Sequence, residues 1–167
     1  MKSLERIEAQ LDRVLGFFPR VDTKMGGIFA VNSAMLTICA LNIEAQDLTK
    51  WYIVIPGILV LLGLATSNVF LYRCNFPELQ GGQGSLIYFT AIQNRTEINY
   101  RDEFEAASEE AYRSDLLGQI WRNSSILCQK YKSLAAAIRS TLITLIPFGF
   151  FLVMTAVDNS RFPVLRG

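Results

Sequence analysis

The chain has 167 residues, of which 51% are hydrophobic, 11% aromatic and only 19% charged, and its 16 Lys+Arg nearly balance 15 Asp+Glu. The charged fraction lies below the roughly 25% of ordinary soluble domains, mean hydropathy is positive at +0.27, and a net charge of +1 supplies no basic face for nucleic acid. The absence of His excludes His-based nucleophile systems and His-ligated metal sites, and the three Cys residues, Cys39, Cys74 and Cys128, form no C-x-x-C pair and read as reduced thiols of a chain in contact with cytosol.

Residues 1–24 open with Leu4, Ile7, Leu11, Val14 and Phe18 at spacings of 3 and 4, one apolar stripe of an amphipathic helix. Ser3 is placed to cap it and Glu5 suits its first turn. Pro19 is expected to end it, because the residue before a proline avoids the α region. Asp22 is then expected to cap the next helix and Lys24 to snorkel toward lipid headgroups. Nine charges are spread over the first 24 residues, unlike the basic stub and apolar core of a secretory signal.

Three runs carry no charge: Met25–Ile43, Trp51–Tyr72 and Ser140–Val157, of 19, 22 and 18 residues. At 1.5 Å per residue about 20 apolar residues cross a bilayer core of about 30 Å. Three all-apolar helices are also too many for a soluble chain this short to enclose. Trp51, Tyr52 and Tyr72 stand at the ends of the second run, where interfacial aromatics sit. Lys/Arg are concentrated before the first run (five) and in the 67-residue stretch Arg73–Arg139 (eight), against one in the link Glu44–Lys50 and two in the tail. The positive-inside rule therefore puts the N-terminus and the long stretch in the cytoplasm and the short link outside. The resulting parts are a cytoplasmic amphipathic helix (1–24), a transmembrane helical hairpin (25–72), a cytoplasmic loop and long helix (73–139), a third transmembrane helix (140–157) and a tail (158–167), which holds Arg161 and Arg166.

The long cytoplasmic stretch begins as a loop rich in breakers, with Gly81, Gly82 and Gly84 but without a P-loop signature. A short apolar helix over Ser85–Ile92, a polar break over Asn94–Tyr100 and an acidic helix over Glu97–Glu110 are expected next. Leu117, Ile120, Ser124, Leu127, Tyr131, Leu134 and Ile138 then step by 3 and 4 as a heptad seam. No Pro or Gly follows Gly118 before Pro147, so one helix is expected to run from the cytoplasm into the third span. A seam needs a partner, and the N-terminal stripe is the obvious one, within a chain or between chains. The expected fold is all-α: a multispan membrane helix bundle of about three spans on a helical cytoplasmic stalk, assembled as a homo-oligomer.

Catalytic equipment is missing from this pattern. Asp102/Glu103 and Glu109/Glu110 are adjacent pairs that point to different sides of a helix, and no nucleophile has an evident base, so no enzyme, metal or cofactor is expected. Asn32, Ser33 and Thr37 are polar residues inside the first run, spaced to lie near one face; in hydrocarbon such groups glue helices together or line a pore. Gly26 and Gly27 would let another helix approach closely. A ligand site in the cytoplasmic part has Arg95, Arg122, Lys130 and Lys132 as phosphate partners and Tyr88, Trp121 and Tyr131 as rings to stack on a base.

Three elements carry a family resemblance. Val21-Asp-Thr-Lys-Met-Gly-Gly-Ile-Phe-Ala-Val-Asn32 resembles the "D-x-K … N" opening of the transmembrane effectors of bacterial Pycsar anti-phage systems. Leu86-Ile-Tyr-Phe-Thr-Ala-Ile92 is similar to that family's "Y-F-x-x-I" element. Asp115–Ile120 and Gln129–Leu134 are similar to its "D-L-x-x-Q-I … K-Y-x-x-L" helix leading into the last span. The resemblance implies a multi-pass protein of the bacterial inner membrane. It implies a response to a cyclic pyrimidine mononucleotide (cyclic UMP or cyclic CMP) made by a partner cyclase on infection. It further implies loss of membrane integrity and abortive infection. The positions carried over are Asp22, Lys24, Asn32, Lys130 and Tyr131; with Tyr88 and Arg122 from the residue-level reading, Asp22, Lys24, Lys130 and Tyr131 make up the candidate ligand set. The competing expectations are a non-catalytic membrane scaffold and a small channel or transporter subunit.

Overall fold

The computed structural model of the chain describes residues 2–76, 82 and 84–158, with side chains from residue 4 onward. Gly81, and Arg161 and Arg166 of the tail, lie outside the described residues, and Ser3, expected as a cap, lies within a helix that already runs from Lys2. Among those described, every regular element is helical: α1 (Lys2–Leu15), α2 (Phe18–Asn42), a 3₁₀ turn (Ala45–Thr49), α3 (Trp51–Asn75), α4 (Phe89–Gln93), α5 (Glu97–Ala106) and α6 (Glu109–Asp158). The chain divides into two compact units, a first of residues 1–21 and 77–130 and a second of residues 22–76 and 131–167.

The break after α1 falls earlier than Pro19. Gly16 N–H donates to Asp12 O at 2.8 Å and Phe17 N–H to Val14 O at 3.1 Å, which tightens and closes the helix at Leu15. Pro19 then occupies the first turn of α2, where a missing N–H costs no intrahelical bond. The expectation that Pro19 terminates a helix is thereby corrected, and Asp22 lies within α2 rather than at its cap. Leu11 and Val14 are buried, so the N-terminal stripe faces the interior of the first unit. Glu8 lies near enough to Tyr112, itself partly withdrawn from water, for its charge to add to burial in pushing the Tyr112 phenol above its ordinary value.

Thr96 caps α5, its hydroxyl accepting Asn99 N–H at 3.3 Å, so the polar break expected to reach Tyr100 ends at Thr96. The acidic segment is two helices, because α5 stops at Ala106 and Ser108 accepts Ala111 N–H at 3.2 Å to start α6. Only Phe89–Gln93 of the apolar Ser85–Ile92 piece and its flank is helical. The 50-residue α6 runs unbroken through Pro147.

The seam on α6 is shifted from the expected one. Leu117, Ser124 and Tyr131 are exposed, Ile120, Leu127 and Ile138 are half-buried, and Leu134 is buried. Along α6 the buried positions in the first unit are Leu116, Gln119 and Lys130; in the second they are Leu134, Ala137, Thr141, Thr144, Phe151 and Thr155. Within the chain the inward line departs from apolar periodicity because it includes Gln119, Lys130, Thr141 and Thr144, polar groups that find partners there.

Helices α2, α3 and α6 are long and apolar enough to cross a membrane. Their apolar side chains mostly point outward: between 11% and 22% of each apolar window is buried within the chain, and Leu41, Leu62, Ile143 and Ile146 are each at least 60% exposed. A water-soluble core helix would show the reverse. Apolar faces turned outward fit helices that span a membrane, and the protein is a membrane protein.

Candidate functional site

The second unit is joined at a buried polar node. Asn32 on α2 donates from Nδ2 to Ser67 Oγ at 2.9 Å and to Asn68 Oδ1 at 3.2 Å, both on α3. Its Oδ1 accepts from Thr141 Oγ1 on α6 at 2.8 Å. Ser67 Oγ lies 2.9 Å from Thr141 Oγ1 and also donates to Ala137 O at 3.1 Å. Asn32, Ser67 and Thr141 are all buried, so one amide satisfies its donors and acceptor by linking all three spans. Ser33 and Thr37 stand apart from it. Both are exposed, and their hydroxyls donate back to Phe29 O and Ser33 O of their own helix, each at 2.9 Å.

Close helix approach occurs away from Gly26 and Gly27, where an added Cβ would meet nothing within 4 Å. It occurs at Gly63 of α3, where a Cβ would stand 2.0 Å from Thr144 Oγ1 on α6. Beside it Ser140 Oγ donates to Gly63 O at 2.9 Å, and a cavity of about 500 Å³ lies between α3 and α6, lined among others by Pro56 and Pro147.

A charged clasp closes one end of the same unit. Asp47, in the 3₁₀ turn, has a fully buried side chain; it accepts Glu44 N–H at 2.9 Å and Lys50 Nζ at 3.1 Å. Lys50 Nζ also pairs with Asp158, the last described residue of α6, and Tyr52 Oη donates to Asp158 at 2.8 Å. The hydrogen bond to Asp158 raises the Lys50 amine above its ordinary value, and the hydrogen bond from Lys50, then that from Tyr52, lowers the Asp158 carboxyl below the usual carboxylate range. Charge counting on the link and the tail, taken separately, gave no sign of this contact.

The first unit contains a hub at Ser85. Its hydroxyl donates to Asp115 Oδ2 at 2.9 Å and accepts from Gln119 Nε2 at 2.9 Å and from Tyr88 N–H at 3.0 Å. Asp115 Oδ2 also accepts Leu86 N–H at 2.8 Å. Arg95 reaches Gly84 O, Ser85 O and Ala91 O and pairs with Glu103 at 2.7 Å, and Tyr100 Oη donates to Leu86 O at 3.2 Å. The Asp and Gln of "D-L-x-x-Q-I", four residues apart on one face of α6, thus hold the turn that carries the Tyr of "Y-F-x-x-I". Arg95 is occupied in building this turn.

Of the candidate ligand residues, Tyr88 and Arg122 come together, with the guanidinium carbon 5.9 Å from the ring centroid. Lys130 is buried in the same unit with Nζ 5.5 Å from the Phe18 ring centroid. Asp22, Lys24 and Tyr131 belong to the second unit, all three exposed. Among the described residues no group of three or more acidic or Cys side chains is placed to hold a metal ion. The residues missed in sequence are mostly polar partners: Ser67 and Asn68, which interrupt the second apolar run and offered a readable signal, and Ser85, Asp47 and Asp158, which offered none.

A family model described as the Pycsar effector protein domain matches residues 6–156. Searches of curated proteins and of solved structures gave no match. Because the matched region runs from α1 through the third span, and takes in the Asn32 node and the Ser85 hub together, the chain belongs to the Pycsar effector protein domain family, a family of anti-phage defence effectors.

Proposed function

We propose that this protein is the membrane effector of an anti-phage system, and that a cyclic pyrimidine mononucleotide, cyclic UMP or cyclic CMP, made by a partner cyclase, switches it from a closed bundle to a form that disrupts the bacterial inner membrane and aborts infection. The observation that carries this reading is the family match over residues 6–156. The N-terminus and the first unit face the cytoplasm in this reading, where the messenger is made, and the chain acts as a homo-oligomer without catalytic chemistry of its own.

The physics of the second unit supports a switch. In lipid, apolar helix faces gain little by meeting one another, so cohesion depends on close packing and polar contacts. Here both are concentrated at a few points: the Asn32 node, the Gly63–Thr144 approach and the Lys50–Asp158 clasp. A ligand shifts such an equilibrium by its differential affinity for the two states, and a shift from 1:99 to 99:1 needs about 5.5 kcal/mol. The test is dye release from liposomes that hold the full chain. Leak on addition of cyclic UMP or cyclic CMP, and not of the matching linear nucleotide, is expected; folded protein that stays sealed in both defeats the proposal.

A further inference from the structure

Arg122 differs from the other cation held in the first unit's turn. Arg95 is spent on three carbonyls and Glu103, whereas Arg122 is half-buried on α6 and, among the described residues, makes no hydrogen bond or ion pair; its guanidinium carbon lies 5.9 Å from the centroid of the Tyr88 ring. A guanidinium presents five N–H donors in a planar fork suited to phosphate, and in Arg122, among the described residues, no protein acceptor takes them up. The surroundings hold it in place. Tyr88 N–H is tied to Ser85 Oγ, which Asp115 and Gln119 hold from α6. Gly82, with φ of +81°, lies so near that a Cβ would stand 2.6 Å from Tyr88 Cδ1 and 2.8 Å from Arg122 Nη1. Beside Tyr88, at 4.9 Å between ring centroids, Phe89 leaves 64% of its surface exposed, an open aromatic face.

We infer that Arg122, set on Tyr88 and flanked by the exposed Phe89 ring, is the seat of a phosphate-bearing ligand with a planar ring, its phosphate on the Arg122 fork and its ring on Phe89. The inference rests on the nucleotide-responsive reading above and assigns that messenger's site within the first unit. The rigid turn lowers the cost of ordering the seat when ligand binds. Such aromatic stacking is tolerant of the ring's identity, so the seat discriminates phosphate-bearing rings from bare nucleosides more strongly than one base from another.

Titration of the full chain in lipid nanodiscs with cyclic UMP and cyclic CMP, by calorimetry, tests the site. R122Q is expected to weaken binding about ten- to a hundredfold, the loss of charge-assisted hydrogen bonds, while R113Q, at an exposed position of the same helix, leaves it unchanged. In the wild type, bound nucleotide should also slow phenylglyoxal modification of Arg122 severalfold relative to Arg113, a readout that does not depend on any variant folding. Equal affinity in R122Q and wild type, or equal modification with and without nucleotide in a chain that leaks on nucleotide addition, overturns the site and leaves the functional reading standing. A wild-type chain that neither binds nor leaks overturns both.

Discussion

Lys50 and Asp158 lie 108 residues apart in sequence and form an ion pair that joins the turn between the first two spans to the end of the third. Asp47, fully buried, holds the same ammonium at 3.1 Å. The Asp158 carboxyl is held below its ordinary value, so its contribution to stability is present above the usual carboxylate range and is lost as pH falls through the lowered value. The Lys50 amine is held above its ordinary value, so its contribution is present below the usual amine range and is lost as pH rises through the raised value. The clasp is closed across neutral pH. D158N should lower the melting temperature in detergent at pH 7 and should shrink the difference between pH 7 and strongly acidic conditions. Wild type and D158N melting alike at every pH would show that the pair contributes nothing.

Asn32 is the shared partner of all three spans. Replacing it with Leu leaves Ser67, Asn68 and Thr141 without their amide. The expected cost is about 1–2 kcal/mol, the upper range for interhelical hydrogen bonds in membranes and the usual cost of unsatisfied buried groups. Ser33→Ala and Thr37→Ala, which remove only back-bonds on an exposed face, should be near neutral. Unfolding in mixed detergent with increasing SDS separates the two classes, and equal effects from Asn32 and Ser33 would contradict the node.

Gly63 has no room for a methyl group. With Thr144 Oγ1 2.0 Å from the added Cβ, Gly63→Ala should force α3 and α6 apart at a cost of about 1–3 kcal/mol, typical of overpacking. Adding Thr144→Ala should recover part of the loss. Gly26→Ala, where space is open, serves as the control, and a Gly63→Ala chain as stable as that control would argue against the close approach.

The Ser85 hub makes a similar separation in the first unit. Ser85→Ala removes a hydroxyl that serves Asp115, Gln119 and the Tyr88 backbone, and should cost about 1–3 kcal/mol. Limited proteolysis should then cut first within residues 84–96, ahead of α2, α3 and the spanning part of α6. Unchanged cleavage in the variant would mean that the turn is held by Arg95 and Tyr100 alone.

Elements whose cause is local were legible along the chain. Three charge-free runs of 18–22 residues specified spans because bilayer thickness sets the length and exclusion of charge sets the composition. The long α6, the amphipathic α1 and the family motifs were likewise legible, each carried by a continuous stretch. Boundaries slipped where competing local signals were close in strength, as at Gly16 and Pro19, or where a cap such as Thr96 or Ser108 overrode composition. Tertiary structure alone decided which face of α6 points inward and which polar groups meet. The register moved from Leu117–Tyr131 to a line through Gln119, Thr141 and Thr144 because burial follows available hydrogen-bond partners as well as apolarity. Asn32 finds Thr141, and Lys50 finds Asp158, across separations of more than 100 residues. Such pairings depend on how whole helices lie against one another, and no periodicity within one segment encodes them.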